Sequence, residues 1–166
     1  MPTKPECIYW DSCVYISCIQ QDPARYPVLR AILGDAESGK IILVASALVV
    51  AEVVKLNCSP EPINKQADLI REFFENDYIE VRSVDRAIAE EAAKICRSHD
   101  IRPPDAVHVA TALKFQCTCL QTYDGENPKP KGKYLLPLDG KVGWPALKIE
   151  LPQVHPFQSQ RGLFDP

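Results

Sequence analysis

Short apolar runs of strand character recur along the chain, and segments of helical period separate them. "CIYWD" (Cys7 to Asp11) is a compact apolar and aromatic run that ends on an acid. "KIILVA" (Lys40 to Ala45) is apolar at consecutive positions, as expected of a strand covered on both faces. "YIEVRS" (78–83) alternates with the period of a strand, and "CTCLQT" (117–122) leads into Tyr123-Asp124. Strands joined by helical crossovers pair in parallel, with helices on the two faces of the sheet. The fold class expected is therefore α/β, with a mainly parallel central sheet in a three-layer α/β/α sandwich.

The helical segments carry their own signals. "SCVYISCIQQ" is read as helix because the next strand signal is distant. Asp22-Pro23 reads as a helix start running to about Glu37, with Gly39 as the stop. "SALVVAEVVKLN" is read as helix with Ser46 as cap, since joining it to the preceding strand would give an implausibly long one. In "INKQADLIREFFEND" the apolar set Ile63, Ala67, Ile70, Phe73 and Phe74 has helical spacing. Ser83 is expected to cap "VDRAIAEEAAKICRSH", and a last helix opens at Pro104 and runs to about Gln116.

After Gly125 the pattern changes. The remaining residues hold seven of the 15 prolines and most of the glycines, and "ALKIEL" is a candidate edge strand. The chain of 166 residues is thus divided into a domain over residues 1–126 and a Pro/Gly-rich extension over 127–166, packed on the domain or on a partner.

Composition bounds the function. The net charge is −3, from 22 acids and 19 bases, which argues against coating nucleic acid through a broad basic surface. It leaves room for an enzyme that engages a few phosphates. The apolar stretch from Ile41 to Val54 is too short and too interrupted to span a bilayer, and no long apolar run follows the first lysines. A cytoplasmic protein with no membrane partner is expected. The seven cysteines are irregularly spaced, and Cys117-Thr118-Cys119 lacks the C-x-x-C spacing of a zinc knuckle or redox pair. They are read as reduced thiols in a reducing compartment.

Four acids stand apart from those on charged helix faces. Asp11 and Asp124 each end a strand, Glu52 is embedded in "ALVVAEVV", and Asp105 opens "RPPDAVHVATAL". Each has an ordinary account: Asp105 as a helix-start acid, Asp11 as a cap, Asp124-Gly125 as a turn. Glu52 is harder to place, because a glutamate in apolar sequence needs a partner. Jointly they suggest more. Ligands of open parallel sheets bind beyond the carboxyl ends of strands, where Asp11 and Asp124 fall. Converging carboxylates repel unless a cation compensates, and a hard divalent ion suits such oxygen ligands and phosphate substrates.

The set "IYWDS", "SALVVAEVV", "PPDAVHVATAL" and "LQTYD" resembles the PIN-domain ribonucleases, most closely the VapC-type toxins of toxin–antitoxin pairs. The similarity runs from about Cys7 to Asp124, and "DAVHVATAL" is its most specific part. It implies a PIN-like nuclease domain over residues 1–126 and Mg²⁺- or Mn²⁺-dependent hydrolysis of RNA. It further implies Asp11, Glu52 and Asp105 as the ion-binding core, with Asp124 a ligand directly or through water. Ser12, Ser46 and Thr122 become candidate hydroxyls behind that core. Arg102, Lys129, Lys131 and Lys133 are candidate phosphate-steering bases, although loop solubility also accounts for the lysines. His108 reads as a structural histidine within the fold. An RNA substrate, an antitoxin partner and a homodimer are the implied partners. The continuation "DGENPKP" and the long tail depart from the family pattern.

Two other readings remain. A PIN-like fold that binds RNA or protein without cutting it is one. A phosphatase or response-regulator receiver is the other, but the first strand ends in Asp-Ser-Cys, with neither the Asp-x-Asp of the phosphatases nor a receiver's acidic pair.

Overall fold

A computed structural model describes residues 4–57 and 59–156. In chain order the elements are β1 (Glu6–Trp10), α1 (Ser12–Ile19), α2 (Tyr26–Glu37), β2 (Ile41–Ser46), α3 (Ala47–Glu52) and α4 (Ile63–Phe74). They continue with β3 (Ile79–Arg82), α5 (Arg86–His99), α6 (Pro103–Lys114), β4 (Cys119–Gln121) and β5 (Lys148–Glu150).

The five strands form one sheet in the order β3-β2-β1-β4-β5, and every neighbouring pair is parallel. The chain lays strands outward from β1 in one direction, through β2 to β3. It then returns to the other side of β1 for β4 and continues outward to β5. The order therefore reverses between β1 and β4, and a crevice at the carboxyl ends of those two strands is the expected ligand position.

β1 and β2 are buried because helices cover both faces. Ile8, Tyr9, Trp10, Leu43 and Val44 are all at most 1% exposed. Trp10 meets Tyr15 of α1 edge-on at 5.5 Å, and Tyr15 in turn contacts Phe73 and Phe74 of α4. α6 is buried nearly all round, with Ala106, Val109, Ala110 and Ala112 at 2% exposure or less. Small residues allow α6 to approach both α5 and the sheet, which is why it reads as apolar at nearly every position.

Several local expectations need correction. α2 begins at Tyr26, not at Pro23. Asp22 instead closes a turn, its side chain accepting from the Ala24 amide at 2.9 Å, and Pro27 occupies the first turn of the helix. α3 ends at Glu52 after six residues, because Val53 leaves helical geometry at ψ 74°. Ser46 sits at its N-cap position but makes no capping bond, its hydroxyl being engaged by Tyr9. Asp85, not Ser83, caps α5 by accepting from the Ile88 amide at 2.9 Å. On α4, Ile63 and Ala67 face outward, whereas Gln66 and Ile70 are buried. Gln66 is inward because its amide serves loop backbone, accepting from Leu56 N and donating to Glu61 O, both at 2.7 Å.

"ALKIEL" does supply an edge strand. β5 pairs with β4 in parallel, with Gln121 opposite Glu150, so the segment after residue 127 completes the sheet. Glu150 is the polar anchor of that edge. Its carboxyl lies at about 2: burial opposes the charged form, but bonds from Lys148, His155, Gln121 and Gln153 outweigh burial.

Two predictions follow from the packing. Leu29→Ala, at a fully buried position, is expected to lower unfolding free energy by about 2–5 kcal/mol, and Leu69→Ala, at 43% exposure, by about 0.5 kcal/mol or less. Urea denaturation checks this, and equal losses would contradict the assigned core. The folded-state depression of Glu150 stabilises the fold wherever the carboxyl is ionised, that is, above its unfolded value of 4.5. That contribution fades as pH falls from about 4.5 to about 2. Glu150→Gln should therefore flatten the dependence of stability on pH across that window; an unchanged slope would count against the anchor.

Candidate metal and nuclease site

Asp11 follows directly on β1 and caps α1. Its Oδ1 accepts from the Val14 amide at 3.2 Å and the Cys13 thiol at 2.8 Å, and its Oδ2 accepts from the Thr122 hydroxyl at 2.5 Å. The capping account of this residue is thus correct as far as it goes. Asp11 is only 4% exposed, and burial raises its carboxyl above the ordinary range against the pull of His108 and its three donors.

Thr122 and Asp124 come from the chain leaving β4. The Thr122 hydroxyl, fully buried, donates to Asp11 and accepts from the Asp124 amide at 2.8 Å. Asp124 Oδ2 accepts from the Leu135 amide at 2.8 Å, and Asp124 O accepts from Leu136 N at 3.1 Å. Gly125 turns the chain at φ +105°, where a Cβ would meet Tyr134 and Leu136. The turn reading of Asp124-Gly125 is therefore also correct. The Asp124 carboxyl is raised, first by burial and then by the charges of Asp105 and Asp11. That repulsion is the mark of carboxylates converging with too little positive charge between them.

Asp105 lies in the first turn of α6, 8% exposed. Arg102, at the N-cap of the same helix, grips it as a fork, with Nε to Oδ2 at 2.8 Å and Nη2 to Oδ1 at 3.3 Å. Arg102 thus compensates one of the acids directly, and the fields of Asp124 and Glu52 add to its hold on its proton.

Glu52 ends α3, and its Oε2 lies 3.1 Å from Nε2 of His108. A carboxylate oxygen accepts, so Nε2 carries the proton. The other ring nitrogen bonds the Tyr9 hydroxyl at 2.8 Å, and Tyr9 also bonds Ser46 through both Oγ (3.0 Å) and the backbone amide (3.2 Å). Burial pushes the Glu52 carboxyl up, but the bonds from His108 and Ser12 outweigh it, and the net position is below the ordinary value.

Asp11, Glu52, Asp105 and Asp124 line one cleft of about 190 Å³, together with Ser12, Cys13, Arg102, Pro104 and His108. Of the remaining sequence candidates, Thr122 and Ser46 stand behind the cleft at 0% exposure. Lys129, Lys131 and Lys133 are exposed and do not line it; Lys133 pairs with Asp100 at 2.6 Å. Among the described residues the six cysteines Cys7, Cys13, Cys18, Cys96, Cys117 and Cys119 are free thiols, and Cys58 lies outside the described residues.

Three parts of this arrangement go beyond what the sequence leads one to expect. His108 is held within the fold as expected, yet it also touches Glu52. Its spacing of three from Asp105 on one helix placed both on one side of α6, which was the available signal. Cys13 bridges the two strand ends, donating to Asp11 and accepting from the Tyr123 amide at 3.3 Å. Burial raises its thiol well above the ordinary value, so it serves as a donor. Tyr9 had no signal beyond its place on a buried strand.

The acids offer only oxygen, from three aspartates and a glutamate on four separate segments, with mutual repulsion to be relieved. That set fits a hard divalent cation such as Mg²⁺ or Mn²⁺.

Comparison with known proteins identifies the family and the fold. The PIN domain family matches residues 8–131. Comparison with curated protein sequences gives no significant match. Among solved structures, the chain is similar to VapC20 of Mycobacterium tuberculosis, a Sarcin-Ricin loop cleaving toxin. The TM-score is 0.58 at 18% identity, over 72% of this chain and 91% of that one. It is similar to VapBC2 of Rickettsia felis, bound to a promoter DNA fragment (0.56, 12%, over 72% and 89%). A toxin–antitoxin complex from Klebsiella pneumoniae aligns with TM-score 0.52 at 16% identity, over 78% and 97%. The match covers the strand-order reversal and all four acids of the cleft, and the chain belongs to the PIN domain family.

Proposed function

We propose that the cleft is the active site of a Mg²⁺- or Mn²⁺-dependent endoribonuclease, and that the chain is the toxin of a toxin–antitoxin pair. The observation that carries the reading is the convergence of Asp11, Glu52, Asp105 and Asp124 on one crevice at the reversal of strand order. The similar solved structures, a Sarcin-Ricin loop cleaving toxin and two toxin–antitoxin assemblies, support it at the level of fold.

In this reading Asp11, Glu52 and Asp105 would hold the cation, with Asp124 a ligand directly or through water. When bound, the ion lowers the pKa of a coordinated water and neutralises charge on the scissile phosphate. The residues of the chain do the rest. Thr122 fixes Asp11 and Asp124 relative to each other. His108, itself held by Tyr9, aims Glu52. Arg102 holds Asp105 in place and, with its side chain 63% exposed, can swing to a phosphate oxygen. Ser12 steadies the Glu52 carboxylate. Lys129, Lys131 and Lys133 steer RNA from outside the cleft. A cytoplasmic location, a homodimer and an antitoxin that covers the cleft belong to the same proposal. Among the described residues no helix is long and apolar enough to cross a membrane.

One observation favours a second reading, a PIN-like module that binds without cutting. The Arg102 fork engages both oxygens of Asp105, as a built-in cation would.

The two readings part on RNA cleavage. The purified chain with Mg²⁺ is expected to cut RNA to 5′-phosphate and 3′-hydroxyl ends, and EDTA to abolish the reaction. Asp11→Asn should lower the rate by at least ~100-fold, exceeding the ~10–100-fold typical of residues behind a metal site. Asp11→Asn cleaving at the wild-type rate would sink the nuclease proposal.

A further inference from the structure

A second cluster of ligating side chains lies on residues that do not line the carboxylate cleft. Cys119 opens β4, Glu150 ends β5, and His155 follows five residues later. One ligand atom from each lies within 4.8 Å of the other two. Cys119 Sγ stands 3.9 Å from His155 Nε2, which also bonds Glu150 Oε1. We propose that Cys119, Glu150 and His155 form a zinc site that staples the segment after β5 to the edge of the sheet.

Three features argue for a built site. First, the surroundings present the ligand atoms. Glu6, at the start of β1, bonds His155 Nδ1 at 3.2 Å, which leaves Nε2 as the nitrogen turned toward Cys119 and Glu150. A carboxylate behind a ligating histidine is the usual support of such a ligand, fixing its tautomer and ring orientation. Second, Glu150 divides its two oxygens. Oε2 takes Lys148 at 2.6 Å and Gln153 at 2.5 Å, while Oε1 faces His155. Third, two of the three ligands are enclosed. Cys119 is 0% and Glu150 8% exposed, and Gln121 closes one side by donating to Glu150 Oε1 at 3.3 Å and Gln153 O at 2.9 Å.

The donor set selects the metal. A thiolate and an imidazole are poor ligands for Mg²⁺ and good ones for Zn²⁺. Zn–S and Zn–N bonds at a tetrahedral angle put sulfur and nitrogen about 3.5 Å apart, near the spacing already present between Cys119 and His155. Three protein ligands leave the fourth position to water. Binding is written with protons balanced: Zn²⁺ displaces one proton from the Cys119 thiol and one from His155 Nε2, both to solvent.

The test uses the full chain, stripped of metal and held in excess Mg²⁺ to occupy the carboxylate cleft, then titrated with Co²⁺. One equivalent is expected to produce the near-ultraviolet thiolate-to-cobalt absorption of a sulfur-ligated site, and Zn²⁺ should displace it. The band should persist in Cys96→Ser and in Asp11→Asn, and vanish in Cys119→Ser. His155→Gln, at a partly exposed position that leaves the core intact, should weaken Co²⁺ binding by at least ~100-fold, and Glu6→Gln by ~10–100-fold. Circular dichroism checks that each variant folds; should Cys119→Ser unfold, His155→Gln decides. Absence of the band in the parent chain, or undiminished affinity in His155→Gln, overturns the proposal. The outcome is independent of whether RNA is cleaved.

Discussion

The Thr122 hydroxyl joins the ends of two strands that lie on opposite sides of a reversal in the order of the sheet. It donates to Asp11, at the end of β1, and its oxygen accepts from the amide of Asp124, beyond β4. Without such a tie, the chain leaving each strand would be free to carry its acid away from the crevice. With it, a rigid parallel sheet sets the spacing of the two aspartates. α6 then delivers Asp105 from its first turn, and α3 delivers Glu52 from its last residue. The arrangement is costly in electrostatic terms, because buried acids are brought together. Burial raises the Asp11 carboxyl, with His108 opposing the rise; burial and then the charges of Asp105 and Asp11 raise that of Asp124, with Arg102 opposing.

A second polar chain runs inward from the cleft. Ser46, Tyr9, His108 and Glu52 are linked in sequence by hydrogen bonds, and the first three are at most 2% exposed. Buried polar groups must be satisfied, and here each satisfies the next. The orientation of a glutamate at the surface of the cleft is thereby set by residues on β1, β2 and α6. This explains why the six-residue helix α3 suffices to place Glu52: the position is held by the network and not by helix length.

Much of this was legible in the sequence because strands and acids followed simple rules. The parallel α/β class came from alternating strand and helix periods. The four acids stood out as charges in apolar surroundings or at strand ends. Helix starts were less legible where two capping residues competed, as with Ser83 and Asp85, or where Asp22-Pro23 formed a turn ahead of Pro27. Ile63 and Ala67 had the spacing of a buried face but lie outward, because Gln66 was needed inside to satisfy the loop before α4. Contacts between residues far apart in the chain left no local trace. Tyr9 with His108, Cys13 with Tyr123, and Cys119 with His155 are of that kind. The fifth strand was visible as "ALKIEL", although nothing local could say that Glu150 would anchor it through His155, Gln153 and Lys148.

Every role proposed for the cleft requires that the acids at the strand-order reversal hold a divalent ion. A crystal structure of the chain soaked in Mn²⁺, with anomalous scattering measured at the manganese edge, tests it directly. An anomalous peak is expected in the cleft among Asp11, Glu52, Asp105 and Asp124, with Arg102 withdrawn from at least one oxygen of Asp105. A cleft without a peak, with the Arg102 fork still closed on both oxygens, would contradict it.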